Sequence, residues 1–420
     1  MSLPDSPAYS PSAPAPLYSP EPHSDETQLA LTIRRVFRPR PSGTFALRAH
    51  GITLLLRDQE VGVPSPTFGA NALVGGNVEL DSTEDIISVT LKLDGLLNLT
   101  VVGVATNDVV FFSRTCTIWK LGNPSTASCS RTLPFHTTIP ESYQDGNRTH
   151  SLPPTYSAVL NGVHDLLVNC CYRFTIDVTK SGLWKARKTL RTPLIFLPRT
   201  RPHQPIISSP FPFYATIKSL PEEWYQIIST MLSLNDSGIE PIECHLFIPS
   251  VRIYSITDTI PFFLQLCASP TSFEEFLRPK PPTPSILYLF RNNFHPSSQP
   301  VVRVFILRQI EAVVGAHHAF HTHVLGEGTL RAIPPGISVG VTQSGQAEDG
   351  YETLNWEGEV KCRKDVLNGG FSLGRLIVKD FICLSIIPAS PKSSRLLEHK
   401  HMHPIRLVTD SFMDGREDEF

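Results

Sequence analysis

The chain holds 420 residues, 41% of them hydrophobic and 18% charged, with a formal net charge of −2. That length suits two domains around a substantial core, and the near-neutral charge excludes a dedicated nucleic-acid binder, which carries a strong basic excess. The 38 prolines, about twice the usual share, suit an all-β protein with many connections, because Pro is excluded from helix interiors and central strands.

In chain order, residues 1–28 hold seven prolines, four acids and no Lys or Arg, the composition of a disordered, polyproline-leaning tail. With no basic start and no apolar centre, the tail does not read as a signal peptide. No apolar run reaches the roughly 18 residues of a membrane span. These features predict an intracellular protein. The eight Cys are scattered, none in C-x-x-C, which predicts reduced thiols packed as small hydrophobes. The Asn98, Asn147 and Asn235 sequons then stay unglycosylated.

The ordered body alternates. "ITLLL" (52–56), "IISVTLKL" (86–93) and "DVVFF" (108–112) read as strands. Cys170 to Thr179 is the clearest: Cys170, Tyr172, Phe174, Ile176 and Val178 point one way, and Cys171, Arg173, Thr175, Asp177 and Thr179 the other. That period of two marks a half-buried antiparallel strand. "RTPLIFL" (191–197), "ECHLFIP" (243–249), "PFFLQLC" (261–267), "VVRVFIL" (301–307) and "LIVKDFICLSII" (376–387) follow. Such spacing predicts β-sandwiches. One segment predicts a helix: Trp224, Ile227, Ile228, Met231 and Leu232 keep 3.6 spacing after Ser219, with Pro221 and two Glu in the first turn. The proline run 196–213 marks a domain boundary, "RPKPPTPS" (278–285) reads as a loop, and the last residues form an acidic tail.

"LPPTY" contains Pro153, Pro154 and Tyr156 in the PPxY pattern that WW domains bind as an exposed polyproline segment. Because Ala158, Val159 and Leu160 follow, the same residues also read as a strand lead-in. Both readings stand at this point.

"LPFHTTIP" (133–140), "LPPTYSAVLNGVHDLLVNCCYRFTIDVTKSGLW" (152–184) and "LIFLPRTRPHQPI" (194–206) resemble the arrestin N-terminal domain of fungal arrestin-like (α-arrestin) proteins. "LFIPSVRIYSITDTIPFFLQLCA", "LNWEGEV" and "IVKDFICLSIIP" are similar to the arrestin C-terminal domain, though more loosely. The resemblance implies two tandem immunoglobulin-like (arrestin-type) β-sandwiches with disordered tails: 1–28 tail, 29–205 N-like sandwich, 206–392 C-like sandwich, and 393–420 extension with the acidic tail. It also implies no catalytic residues and no cofactor. The implied role is trafficking adaptor, linking membrane-protein cargo tails to endocytic machinery or to a HECT-type ubiquitin ligase through WW domains. This sequence departs from the family in placing its complete PPxY in the body, where arrestins carry a structural Leu-Pro-Pro-Ser-aromatic segment, rather than in a tail. A ligase-independent, retromer-like sorting scaffold of the same fold is the alternative.

Three further constellations have chemistry. Lys180, Lys185, Arg187, Lys188 and Arg191 form a basic stretch, either a solvated hairpin or a site for acidic phospholipids or a phosphorylated cargo tail. His317, His318, His321 and His323 cluster, but no Cys or carboxylate beside them completes a closed metal site, and no metal is assigned. "GISVG" places Ser338 in the G-x-S-x-G pattern. The strand before and helix after that a hydrolase elbow needs are missing, so the enzyme is a remote alternative. The expected protein is a non-enzymatic cytoplasmic adaptor, peripheral to plasma membrane or endosomes.

Overall fold

The computed structural model describes residues 41–122, 128–161, 165–181, 186–206, 213–278, 300–334 and 352–412. The first half contributes β1 (Gly43–Ala49), β2 (Ile52–Gln59), β3 (Thr67–Phe68), β4 (Leu73–Leu80), β5 (Ile86–Val101) and β6 (Ala105–Lys120). It continues with β7 (Thr132–Thr138), β8 (Ser142–Asp145), β9 (Arg148–Ser151), β10 (Tyr156–Leu160), β11 (Leu166–Lys180) and β12 (Arg187–Phe196). The second half contains α1 (Phe213–Ser219), β13 (Trp224–Met231), β14 (Ile242–Pro249), β15 (Ile253–Ser255), β16 (Thr259–Ala268) and α2 (Pro270–Leu277). Then come β17 (Val301–Val314), β18 (His317–Ile333), β19 (Glu352–Lys361), β20 (Phe371–Leu373), β21 (Leu376–Ile387) and β22 (His399–Val408). The class is all-β.

Alternation decides the layers. Cys170, Tyr172, Phe174, Ile176 and Val178 of β11 are all buried, and each large side chain so placed contributes roughly 1.5–3 kcal/mol relative to exposure. The sheet β3-β12-β11-β5-β6, with β10 also on β11, faces the sheet β1-β2-β4-β7 across this core. The second half is one ten-stranded sheet, ordered β13-β14-β16-β19-β18-β17-β21-β22-β15 with β20 on β21. It curls until its two ends meet: Ser229 Oγ on β13 lies 2.9 Å from His399 Nε2 on β22, and Ser233 bridges Leu396. A second core fills the curl.

The two cores share strands. On β17, Val304 and Ile306 belong to the second core, whereas Ile310, Ala312 and Val314 belong to the first. On β21, Leu376 and Val378 belong to the first core, and Ile382, Leu384 and Ile386 to the second. All the described residues fall within one compact unit, Pro39–Asp414.

Two sequence expectations change. The helix expected over 219–232 is a strand: Pro221–Glu223 form a short 3₁₀ turn and β13 then pairs with β14 from Trp224↔Pro249 to Met231↔Ile242. Ile227 and Met231 are buried in either geometry, so the apolar spacing fits both. Pairing with β14 and the β-branched Ile227, Ile228 and Thr230 decide for strand. The helices lie instead at α1 and α2, where Phe273 and Phe276 anchor α2 in the second core. In the segment assigned to an extension beyond the second sandwich, β22 pairs with β21 from Asp380↔Ile405 to Ile386↔His399. Its histidines disguised an ordinary sheet strand. Residues 1–28 and 413–420 lie outside the described residues.

Candidate functional site

Residues 152–156 are held on every side. Leu152, Pro153 and Pro154 are buried. The Tyr172 hydroxyl donates to the Pro153 carbonyl at 2.6 Å. Thr155 N–H donates to the Phe196 carbonyl at 2.8 Å, and Phe196 N–H returns a bond to Thr155 Oγ1 at 2.8 Å. Tyr156 opens β10 opposite Cys170, and its ring meets Phe371 edge-on at 5.3 Å. Burial pushes the Tyr156 phenol up, while the Arg308 guanidinium beside it acts the other way. A WW groove needs both prolines and the tyrosine exposed at once. In this fold Pro153, Pro154 and Tyr156 are a strand lead-in, and the displayed-ligand reading is corrected.

The basic stretch does not make one face. Arg187 binds Asp177, with Nε at 2.9 Å from Oδ1, and Thr189 donates to the same oxygen at 2.7 Å. Burial would raise the Asp177 carboxyl, but the Arg187 and Thr189 bonds and the Arg187 and Arg191 charges hold it below its usual range. Arg191 lies exposed on the same outer face. Lys188, one residue along, points to the opposite face beside Gly51 and Asp81. Lys180 is half-buried, and Lys185 lies outside the described residues. Two cations not assigned from sequence share the outer face: Lys92 and Arg173, 2.9 and 3.8 Å from the buried Asp94. The patch is therefore threaded with its own carboxylates.

The four histidines lie on β18. His317, His321 and His323 share one face and His318 takes the other. Among the described residues, no group of three or more His, Cys, Asp or Glu is placed to hold a metal ion. Ser338 lies outside the described residues.

A cleft of ≈ 560 Å³ opens where the halves meet. One wall is the whole run from Thr155 to Leu160; the others are Arg308 of β17, His323 and Leu325 of β18, and the loop from Arg363 to Asn368. A continuous polar chain crosses its base. Asp380 accepts from Arg308 at 2.7 and 3.0 Å, and Arg308 also donates to the Asn368 carbonyl at 2.7 Å. The Asn368 amide in turn donates to the Thr155 carbonyl at 3.1 Å. Burial would lower Arg308, yet the Asp380 bonds and charge hold it above its ordinary value, so it stays charged. Two atoms here have no partner among the described residues: Asn368 Oδ1 and His323 Nδ1. Burial, then the Arg308 and Arg363 charges, keep the His323 imidazole below its ordinary value. The arrangement offers main-chain and amide hydrogen bonding beside fixed positive charge.

No family model matches this chain, and no curated protein matches it. Among the described residues, no helix is long and apolar enough to cross a membrane.

Of the cleft groups, only Tyr156 and His323 were singled out from sequence, each for another reason. Arg308 and Asp380 carry a signal in hindsight: each is a lone charge in the inward row of an apolar strand. Asn368, in "VLNGGFSLG", offers none.

Proposed function

We propose that this chain is a non-catalytic adaptor that binds a segment of another polypeptide on its folded body. The observation that carries this reading is the inter-half cleft, lined by a strand edge and by buried polar atoms that have no partner among the described residues. The polar chain from Asp380 through Arg308 and Asn368 to Thr155 supports it by tying the halves into a preformed site, which lowers the ordering cost of binding. The resemblance to arrestin-like proteins in "LPPTY" and the strands around it suggests the setting: a cytoplasmic role on membrane-protein cargo tails, at plasma membrane or endosomes.

Within that reading, the ligase-independent sorting scaffold is the version the geometry favours. Pro153 and Pro154 are buried and the Pro153 carbonyl is already bonded, so a HECT-type ligase has no free PPxY to grip at residues 153–156. Acidic phospholipid binding through Arg187 and Arg191 is weakened as a proposal by Asp177 between them.

An array of synthetic cytoplasmic tails from membrane proteins, probed with the purified full chain, tests the adaptor reading. Saturable binding to a subset of tails is the expected result. No binding to any tail, together with fluorophosphonate labelling that is lost in Ser338→Ala, would replace the adaptor with the hydrolase.

A further inference from the structure

Side chains on a strand point alternately to its two faces, so a cleft on one face touches every second residue. The inter-half cleft touches every residue from Thr155 to Leu160. It therefore runs along the edge of β10. That edge is open, since β10 pairs with β11 on one side and, among the described residues, with no strand on the other. An unpaired row of N–H and C=O groups is a template for another strand.

The wall facing this edge is polar in a way that suits a main chain. Asn368 is 8% exposed; its amide nitrogen is committed to the Thr155 carbonyl, and its Oδ1 is buried without a hydrogen-bond partner among the described residues. His323 Nδ1 is a second buried atom without a partner among the described residues. Both atoms are closed to solvent, so they mark the polar base of the cleft, and the row of N–H and C=O groups along β10 is what an incoming main chain can reach. At the mouth, Val159 and Leu367 stand 67% and 64% exposed, where an apolar side chain would rest. The segment 361–365 holds Lys361, Arg363 and Lys364 against the single carboxylate of Asp365, and of these cations it is Arg363 that lines the cleft. Arg363 contacts Asp365 only at 3.3 Å and its side chain is 54% exposed. Charge complementarity favours an acidic neighbour on the guest.

We infer that the cleft accepts an extended, acidic–apolar segment of a partner polypeptide as an added strand along the free edge of β10. The edge of β10 meets its backbone, Val159 and Leu367 its apolar side chain, and Arg363 its carboxylate. This inference rests on the adaptor reading and supplies its binding mode.

Random linear peptides displayed on phage, panned against the full chain, provide the probe. Enriched sequences are synthesised and titrated by fluorescence anisotropy against wild type, Val159→Glu, Leu367→Glu, Arg363→Glu and Asn368→Ala, with thermal melts confirming that each variant folds. The two exposed positions tolerate Glu, so at least those variants report on the site alone. Enriched peptides should combine apolar and acidic residues. Each Glu variant should weaken them about tenfold or more, a loss on the scale of one broken interfacial contact. Backbone N-methylation at one alternate set of positions should abolish binding, while the other set is tolerated, because only every second N–H of a strand faces its partner. Peptides that bind all variants equally, or that tolerate both N-methylation patterns, overturn the inference but leave the adaptor reading. Acidic vesicles that bind in an Arg363-dependent way while no peptide is enriched would make the cleft rim a membrane contact instead. No enrichment and no vesicle binding overturns both.

Discussion

Arg308 and Asp380 face each other across β17 and β21, at the position where both strands pass between the two hydrophobic cores. Both are 3% exposed. The pair is what makes a charged joint tolerable between two apolar interiors: each charge is desolvated, and each is answered by the other in bidentate geometry. Through Asn368 the same guanidinium reaches the lead-in to β10, so the joint also fixes the cleft.

Breaking one partner strands the other. Arg308→Met should cost about 3–5 kcal/mol in urea denaturation of the full chain, and Asp380→Asn a comparable amount, since each leaves a buried uncompensated group. The double variant Arg308→Met/Asp380→Leu should be markedly more stable than the sum of the single losses implies. Additive single effects would show that the charges are not coupled.

The 153–156 segment should behave as structure. Tyr172→Phe removes the donor to the Pro153 carbonyl and should cost about 1–3 kcal/mol. Tyr156→Ala should also melt lower, because the ring packs on Phe371. A HECT-ligase WW domain should bind a free peptide of residues 149–160 but not the folded chain through these residues. Binding to the intact fold that Tyr156→Ala abolishes, without a change in melting, would restore the displayed ligand.

Acidification should loosen the seam of the second half first. Burial and the neighbouring His401 lower His399; burial, Arg252 and His401 lower His403; burial, Arg308 and Arg363 lower His323. Each imidazole thus titrates lower folded than unfolded. As pH falls below about 6.5, the ordinary histidine value, the unfolded chain takes up more protons and gains ground. Asp177 and Glu275 are held low by their arginine partners despite burial. Their contributions persist until pH drops below the usual carboxylate range, near 4. Thermal melts from pH 7.5 to 5 should therefore fall steadily, and His399→Gln should flatten part of the slope. A melting temperature independent of pH across that window would contradict the assignment.

All eight cysteines are free thiols. Burial pushes Cys170, Cys244, Cys362 and Cys383 up to about 12, where almost no thiolate exists at neutral pH. In native buffer, maleimide labelling followed by mass spectrometry should mark the half-buried Cys116, Cys171 and Cys267 first. The four deep thiols should react only after unfolding. Early labelling of Cys170 or Cys383 would show that β11 or β21 opens far more readily than its packing implies.

Much of the fold was legible because period-two alternation is a strong signal where one face is buried. Cys170 to Thr179 shows it without interruption, and β5, β12, β14, β16 and β21 follow. β13 was misread because Ile227 and Met231 satisfy helical and strand spacing alike, and only its pairing with β14, which leaves Ile228 exposed, separates the two. The basic run 180–191 looked like one patch because a list of charges hides strand alternation. On β12 that alternation sends Arg187 and Lys188 to opposite faces and brings Asp177 beside Arg187. The cleft was not legible, since Thr155, Arg308, His323 and Asn368 are up to 213 residues apart and meet only through tertiary pairing.

Hydrogen exchange of the full chain, with and without an enriched acidic–apolar peptide, tests most directly whether the protein works by taking a partner segment between its halves. Slowed exchange confined to 155–160 and 362–370, with the outer sheet of the first half unchanged, is the predicted result. Protection that falls on β6 and β12 instead, or no protection at saturating peptide, would contradict it.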